Sequence, residues 1–286
     1  FNSMQNLYSY GKAMQLNPDR MMFTPVIAKL DDGMKLCIAE ADTESYPGMY
    51  LVSSSDRPVL HGMFAAYPRK EERGGHNQLQ MLVKSRESYI ARVIGPRSFP
   101  WRTFIVTRKD GELSESDMVY RLASPSRVKN IDWIKPGKVA WEWWNYWGLY
   151  NVDFRAGINT ETYKYYIDFA SKNNIEYVIL DEGWSVKYAG DLLKVIPEID
   201  LPELLRYAKG RNVGIILWAG YHAIERDMEH VVKHYAAMGV KGFKVDFLDR
   251  DDQKMIDFMY RLADICAQHH MLLDYLSLIH ISEPTR

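Results

Sequence analysis

Gly242-Phe243-Lys244-Val245-Asp246-Phe247-Leu248-Asp249 is the stretch on which the reading of the fold turns. It is a short, mostly apolar run with carboxylates towards its end, the pattern of a buried strand that delivers Asp246 at or near its C-terminus. Residues 139–143, 177–181, 213–218 and 272–275 have the same character. Helical patterns separate these runs. Asn159-Thr160 predicts a cap for a helix through Lys172, with Tyr163, Ile167 and Ala170 at helical spacing. Further helices are predicted over residues 201–211, over a stretch ending at Met238, and after Asp251 or Asp252, where Met255, Met259, Leu262, Ala263 and Cys266 share a face. Repeated βα units with continuous apolar strands predict a parallel sheet covered on both faces. In a parallel β/α barrel the strand ends meet at one mouth, where catalytic side chains sit. A full eight-stranded barrel takes about 250 residues, so residues 126–275 are read as the first half of a (β/α)8 TIM barrel.

Residues 1–125 carry a different rhythm. Phe23–Ala28, Lys35–Glu40 and Trp101–Val106 are strand-like, and Asp31-Asp32-Gly33 is a hairpin turn between two of them. Gly74-Gly75-His76-Asn77 reads as a loop. The expected fold class is therefore multidomain, β plus α/β: a partial β-sandwich followed by half a barrel. Residues 276–286 resemble the translation of a sequencing-library adapter and are set aside, His280 and Glu283 included. The chain starts at Phe1 without an initiator Met or a signal segment: either a targeting segment has been removed or the sequence is a fragment, and the first residues do not fix its compartment.

Composition removes several function classes. A formal net charge of -1 gives no broad electrostatic footprint for nucleic acid. No apolar run approaches the roughly 20 residues of a membrane span. The two cysteines, Cys37 and Cys266, fall in different predicted domains and offer neither a disulfide framework nor metal spacing. Aromatic residues reach 13%, with 8 Trp and 19 Tyr, which suits a protein that stacks sugar rings and equally a Trp-rich core.

The predicted strand ends bring Trp141-Glu142-Trp143-Trp144-Asn145, Asp181-Glu182-Gly183-Trp184, Trp218 to His222, and Asp246 to one mouth. Carboxylates bind sugar hydroxyls through charge-assisted hydrogen bonds, and glycoside hydrolysis needs two carboxyl groups about the scissile bond. Asp246 is the first candidate for chemistry. It lies inside an apolar run, where an unpaired carboxylate is costly. Lys244, two residues earlier, points to the same side and is expected to pair with it and keep it ionised; a purely structural ion pair is the alternative. Asp181 closes its own strand in the same way. Asp249, Asp251 and Asp252 are read as helix caps. For Trp184 and Trp144 core packing and substrate stacking stand level, and His222 is either a substrate contact or a structural histidine.

At these residues the chain resembles glycoside hydrolase family 97. The resemblance is carried by Trp141–Asn145, Phe154–Tyr163, Leu180–Trp184 and Lys244–Phe247, and by Glu40-Ala41-Asp42 with Tyr46-Pro47-Gly48-Met49-Tyr50 upstream. It implies an N-terminal β-super-sandwich, a catalytic (β/α)8 barrel, calcium dependence, and export to the bacterial periplasm. It also implies a retaining enzyme acting on oligosaccharides from their ends, with Asp246 as nucleophile, and leans to α-galactosidase. Asp181, Lys244, Trp184, Trp144 and His222 would bind substrate, Glu40 would be a calcium ligand, and the acid/base Glu would lie beyond residue 275. An α-glucosidase of the same family and a non-catalytic carbohydrate-binding protein are the alternatives.

Overall fold

A computed structural model describes residues 11–188 and 190–276. Of residues 276–286, read above as adapter-derived, Leu276 closes the last strand of the barrel part and 277–286 lie outside the described residues.

The N-terminal part holds β1 (Met21–Phe23), β2 (Val26–Lys29), β3 (Lys35–Ala41), β4 (Met49–Ser53), β5 (Leu60–Phe64), β6 (Pro68–Gly74), β7 (Gln80–Arg86) and β8 (Trp101–Thr107), followed by α1 (Asp110–Ser114) and α2 (Met118–Leu122). All pairing here is antiparallel: two three-stranded sheets, β1-β4-β5 and β2-β3-β8, and a hairpin of β6 with β7. The single strand expected over Phe23–Ala28 is two strands in different sheets. Pro25, which has no N–H to give to a ladder, sits at the break. The expected turn at Asp31–Gly33 does join β2 to β3, with Lys29 opposite Lys35. Ile38, Met49 and Leu51 form the small core that the two sheets share.

The second part holds β9 (Val139–Trp141), α3 (Thr160–Lys172), β10 (Tyr177–Leu180), β11 (Ser185–Val186), β12 (Asp191–Val195), α4 (Leu201–Lys209), β13 (Gly214–Gly220), α5 (Tyr221–Glu225), α6 (Met228–Met238), β14 (Gly242–Asp246), α7 (Gln253–Gln268) and β15 (Leu272–Leu276). The sheet runs β9-β10-β13-β14-β15, parallel throughout. Every residue of β10 is buried, as the unbroken apolar run requires of a strand covered on both faces. This five-stranded parallel sheet after a β-rich part is the start of a barrel. Helix starts are fixed by side-chain caps. Asn159 accepts from Thr162 N at 2.9 Å, Asp200 from Glu203 N at 3.0 Å, and Asp252 from Met255 N at 3.3 Å. Asp249 and Asp251 do not cap, contrary to expectation. The backbone carbonyl of Asp251 instead accepts from Gly48 N at 3.0 Å, which ties the two parts together. Gly48 is needed there, since a Cβ would lie 2.5 Å from the Asp251 carboxylate. Leu79, from the β-rich part, is buried in the main core of the barrel part. Among the described residues no helix is long and apolar enough to cross a membrane.

Candidate active site at the strand ends

The C-terminal ends of β9, β10, β13 and β14 hold a connected set of buried polar side chains. Asp246 ends β14, opposite Gly220 of β13. Each of its carboxylate oxygens has one donor: Phe247 N reaches Oδ1 at 2.6 Å, and Trp218 Nε1 reaches Oδ2 at 3.2 Å. Burial pushes its pKa up to about 6, against the pull of the Lys244 charge and of these two hydrogen bonds.

Lys244 does not pair with Asp246 as expected. Its Nζ donates to Asp181 Oδ2 at 2.6 Å, with both side chains almost wholly buried, and lies 4.0 Å from the centre of the Trp141 ring. Trp141 Nε1 donates to the same carboxylate. The reason is the register. Lys244 sits opposite Trp218, two register positions below the Asp246–Gly220 pair, and reaches across β13 to the end of β10. A lysine so buried carries its charge only beside an anion. Asp181 supplies that anion, and Lys244 acts on Asp246 through space.

Glu142, just past β9, is a hub; the sequence places it at the mouth but gives it no role there. Its Oε1 accepts from Tyr163 Oη at 2.6 Å, Asp181 N at 2.8 Å and Trp147 Nε1 at 3.1 Å. Its Oε2 is buried with no hydrogen-bond partner among the described residues. Burial raises its pKa to about 7, against those hydrogen bonds. Glu142 thus ties β9 to the backbone of Asp181. Four of the thirteen described non-glycine residues with left-handed backbone lie at this mouth: Tyr146 and Trp147 after β9, Phe247 and Asp249 after β14. Such conformations cost about 1–3 kcal/mol each.

The remaining candidates separate cleanly. Trp144 is 70% exposed beside Trp141 and Trp143, a free indole face at the mouth. Trp184 is not available to substrate. It is fully buried, its Nε1 donates to Trp218 O at 2.9 Å, and its ring meets the edge of Tyr235. We expect Trp184→Phe to cost about 1–3 kcal/mol, read as a lower melting temperature, with KM for a sugar substrate unchanged. A raised KM at unchanged stability would return the ring to the binding site. His222 is not joined to the Asp181–Asp246 set. It is the second residue of α5, with its Nδ1 3.9 Å from Glu225 Oε2, and its backbone N–H donates to Leu79 O at 3.4 Å.

Two residues of the β-rich part do reach the mouth. His76 Nε2 lies 2.9 Å from Glu182 Oε2, and Asn77 Nδ2 donates to Glu182 Oε1. The only sequence sign of them was a glycine-rich loop.

Glu40 does not fit a calcium ion. It stands opposite Arg102, whose Nη1 is 3.1 Å from Oε2, while Oε1 accepts from Met49 N at 2.8 Å. Calcium takes six to eight oxygen ligands; here one carboxylate oxygen faces a guanidinium and the other a backbone N–H. Among the described residues no group of three or more His, Cys, Asp or Glu side chains could hold a metal.

Comparison with known proteins gives the family. A family model described as Glycosyl-hydrolase 97 N-terminal matches residues 1–125, and one described as Glycoside hydrolase 97 matches residues 143–280. A retaining alpha-galactosidase of Bacteroides thetaiotaomicron is 58% identical over 274 residues, which is 96% of this chain and 41% of that protein. A probable retaining alpha-galactosidase of Streptomyces bingchenggensis is 31% identical over 191 residues, 63% of this chain and 28% of that protein. The chain therefore spans well under half the length of these relatives. The fold matches that of a family 97 enzyme from Pseudoalteromonas sp. strain K8, solved with acarbose, at a TM-score of 0.74 and 22% identity over 96% of this chain and 43% of that one. With both of its parts matched, the chain belongs to glycoside hydrolase family 97.

Proposed function

We propose that the protein is a retaining, exo-acting α-galactosidase and that this chain carries its nucleophile. The observation behind this is Asp246. It is a strand-end carboxylate with one donor on each oxygen, in a chain 58% identical to a protein named a retaining alpha-galactosidase. In the first step an Asp246 oxygen bonds to the anomeric carbon while the glycosidic C–O bond breaks. The leaving oxygen takes a proton from a carboxylic acid, which the family resemblance puts after residue 275. In the second step that same residue takes a proton from water, the water oxygen bonds to the anomeric carbon, and Asp246 departs as carboxylate. In a retaining glycosidase these two carboxyl groups lie about 5–5.5 Å apart.

Asp181 and Lys244, already charged and fixed against each other, serve the ring hydroxyls, and the exposed Trp144 face serves a sugar ring. No step passes through calcium. Export to the bacterial periplasm belongs to this proposal too, on family resemblance alone. The test is to give the full-length protein an aryl α-galactoside and an aryl α-glucoside and follow the first-formed sugar by proton NMR. We expect α-galactose first, with the galactoside the faster substrate. A first-formed β-anomer would mean inversion and demote Asp246 to a binding role.

A further inference from the structure

The loop from Gly74 to Asn77 has no part in the reaction just described, yet it is built to reach the nucleophile. Gly75 has φ +69, and a Cβ there would collide with the Gln80 side chain, whose Oε1 accepts from His76 N at 2.8 Å. Leu79 then plugs into the core of the barrel part. A fully buried Leu stabilises by about 1.5–3 kcal/mol, so the loop is anchored rather than draped. The result is that the His76 ring stacks on Phe247, with centroids 4.7 Å apart and planes 29° from parallel.

Phe247 governs both oxygens of Asp246. Its own N–H donates to Oδ1 at 2.6 Å. Its ring meets the indole of Trp218 at 5.8 Å, edge to face, and that indole donates to Oδ2. Phe247 has φ +61, a left-handed conformation that a bulky residue holds only when its surroundings enforce it. Trp218 and His76 are the aromatic partners of its ring.

We propose that His76 is a positioning residue for Asp246: its ring, supplied by the β-rich part, holds Phe247 in its left-handed conformation and so aims the carboxylate at the anomeric carbon. The β-rich part is on this view a structural member of the active site. The inference rests on Asp246 being the nucleophile.

Two substitutions in the full-length protein separate stacking from hydrogen bonding. His76→Phe keeps an aromatic face and loses the contact with Glu182; His76→Gln keeps a polar partner for Glu182 and loses the face. We expect His76→Gln to lower kcat on an aryl α-galactoside by about 10- to 100-fold, the scale of a misplaced catalytic group, with KM moving far less. His76→Phe should retain most of kcat. In an Asp246→Gly background assayed without azide, on the residual rate with an activated aryl α-galactoside, His76→Gln should add almost nothing, because its effect acts through the missing carboxylate. The reverse order of the two variants, a change confined to KM, or a full additional loss in the Asp246→Gly background would each overturn the proposal. An Asp246→Gly enzyme that keeps its activity would instead overturn the nucleophile reading itself.

Discussion

Asp246→Gly in the full-length protein is expected to lower kcat/KM for an aryl α-galactoside by roughly 10⁴-fold or more, the scale on which loss of a covalent nucleophile acts. The geometry predicts more than a loss. The substitution removes the carboxylate and leaves its two donors in place, Phe247 N and Trp218 Nε1, which stood 2.6 and 3.2 Å from its oxygens. They then surround a small space that has lost its anion. Azide fits that chemistry: it is small, anionic and nucleophilic, and it needs no proton removed before attack. It should restore part of the rate with activated substrates. Entering from the face that Asp246 occupied, it should yield β-galactosyl azide from an α-galactoside. Wild-type activity in the glycine variant would remove Asp246 from the mechanism. A dead variant that azide does not revive, folded as judged by its melting temperature, would mean that Asp246 binds substrate without attacking it.

The parts of this site that the sequence made visible are those where one residue's surroundings are local. Parallel strands buried on both faces must be continuous apolar runs, so 177–181 and 242–246 could be found and Asp181 and Asp246 placed at their ends. Caps are local too: Asn159 bonds three residues ahead, and its role was legible. What failed was distance. Strand alternation puts Lys244 and Asp246 on one side of β14 but does not say which carboxylate the long lysine chain will choose, and it chose one two strands away. Trp184 and Trp144 both follow a predicted strand closely, yet one is fully buried and the other 70% exposed, a difference set by the fold around them. His76 and Glu182 meet from positions 106 apart through a loop whose only sequence mark is two glycines. The two-residue strand β11 is too short to carry any period.

Lys244→Met should be the most damaging substitution for stability, and it carries a second, separable effect on pH dependence. Removing the lysine leaves Asp181 buried with no cation. Breaking one side of a buried pair costs about 3–5 kcal/mol, a drop on the order of 10 °C in a domain this large. The double variant Lys244→Met, Asp181→Asn removes both charges and should recover much of that loss, which a simple packing defect would not do. The pH effect runs through Asp246. Its pKa is raised from 3.8 to about 6, so its ionisation is harder in the fold than in the unfolded chain. Stability from this group is therefore greatest below pH 3.8 and declines as pH climbs to about 6, while activity, which needs the carboxylate, rises over the upper part of the same window. The acid limb of kcat/KM in the parent enzyme should bend near pH 6. The Lys244 charge lowers that pKa and the Asp181 charge raises it. Lys244→Met should accordingly move the limb to higher pH and Asp181→Asn to lower pH, although both variants lose stability. Opposite shifts in the pH–rate profile, measured on one substrate at one ionic strength, distinguish two charges acting through space on a nucleophile from two residues that only hold the fold. If both limbs stay where the parent's lies, the ionisation seen in kcat/KM belongs to a group other than Asp246.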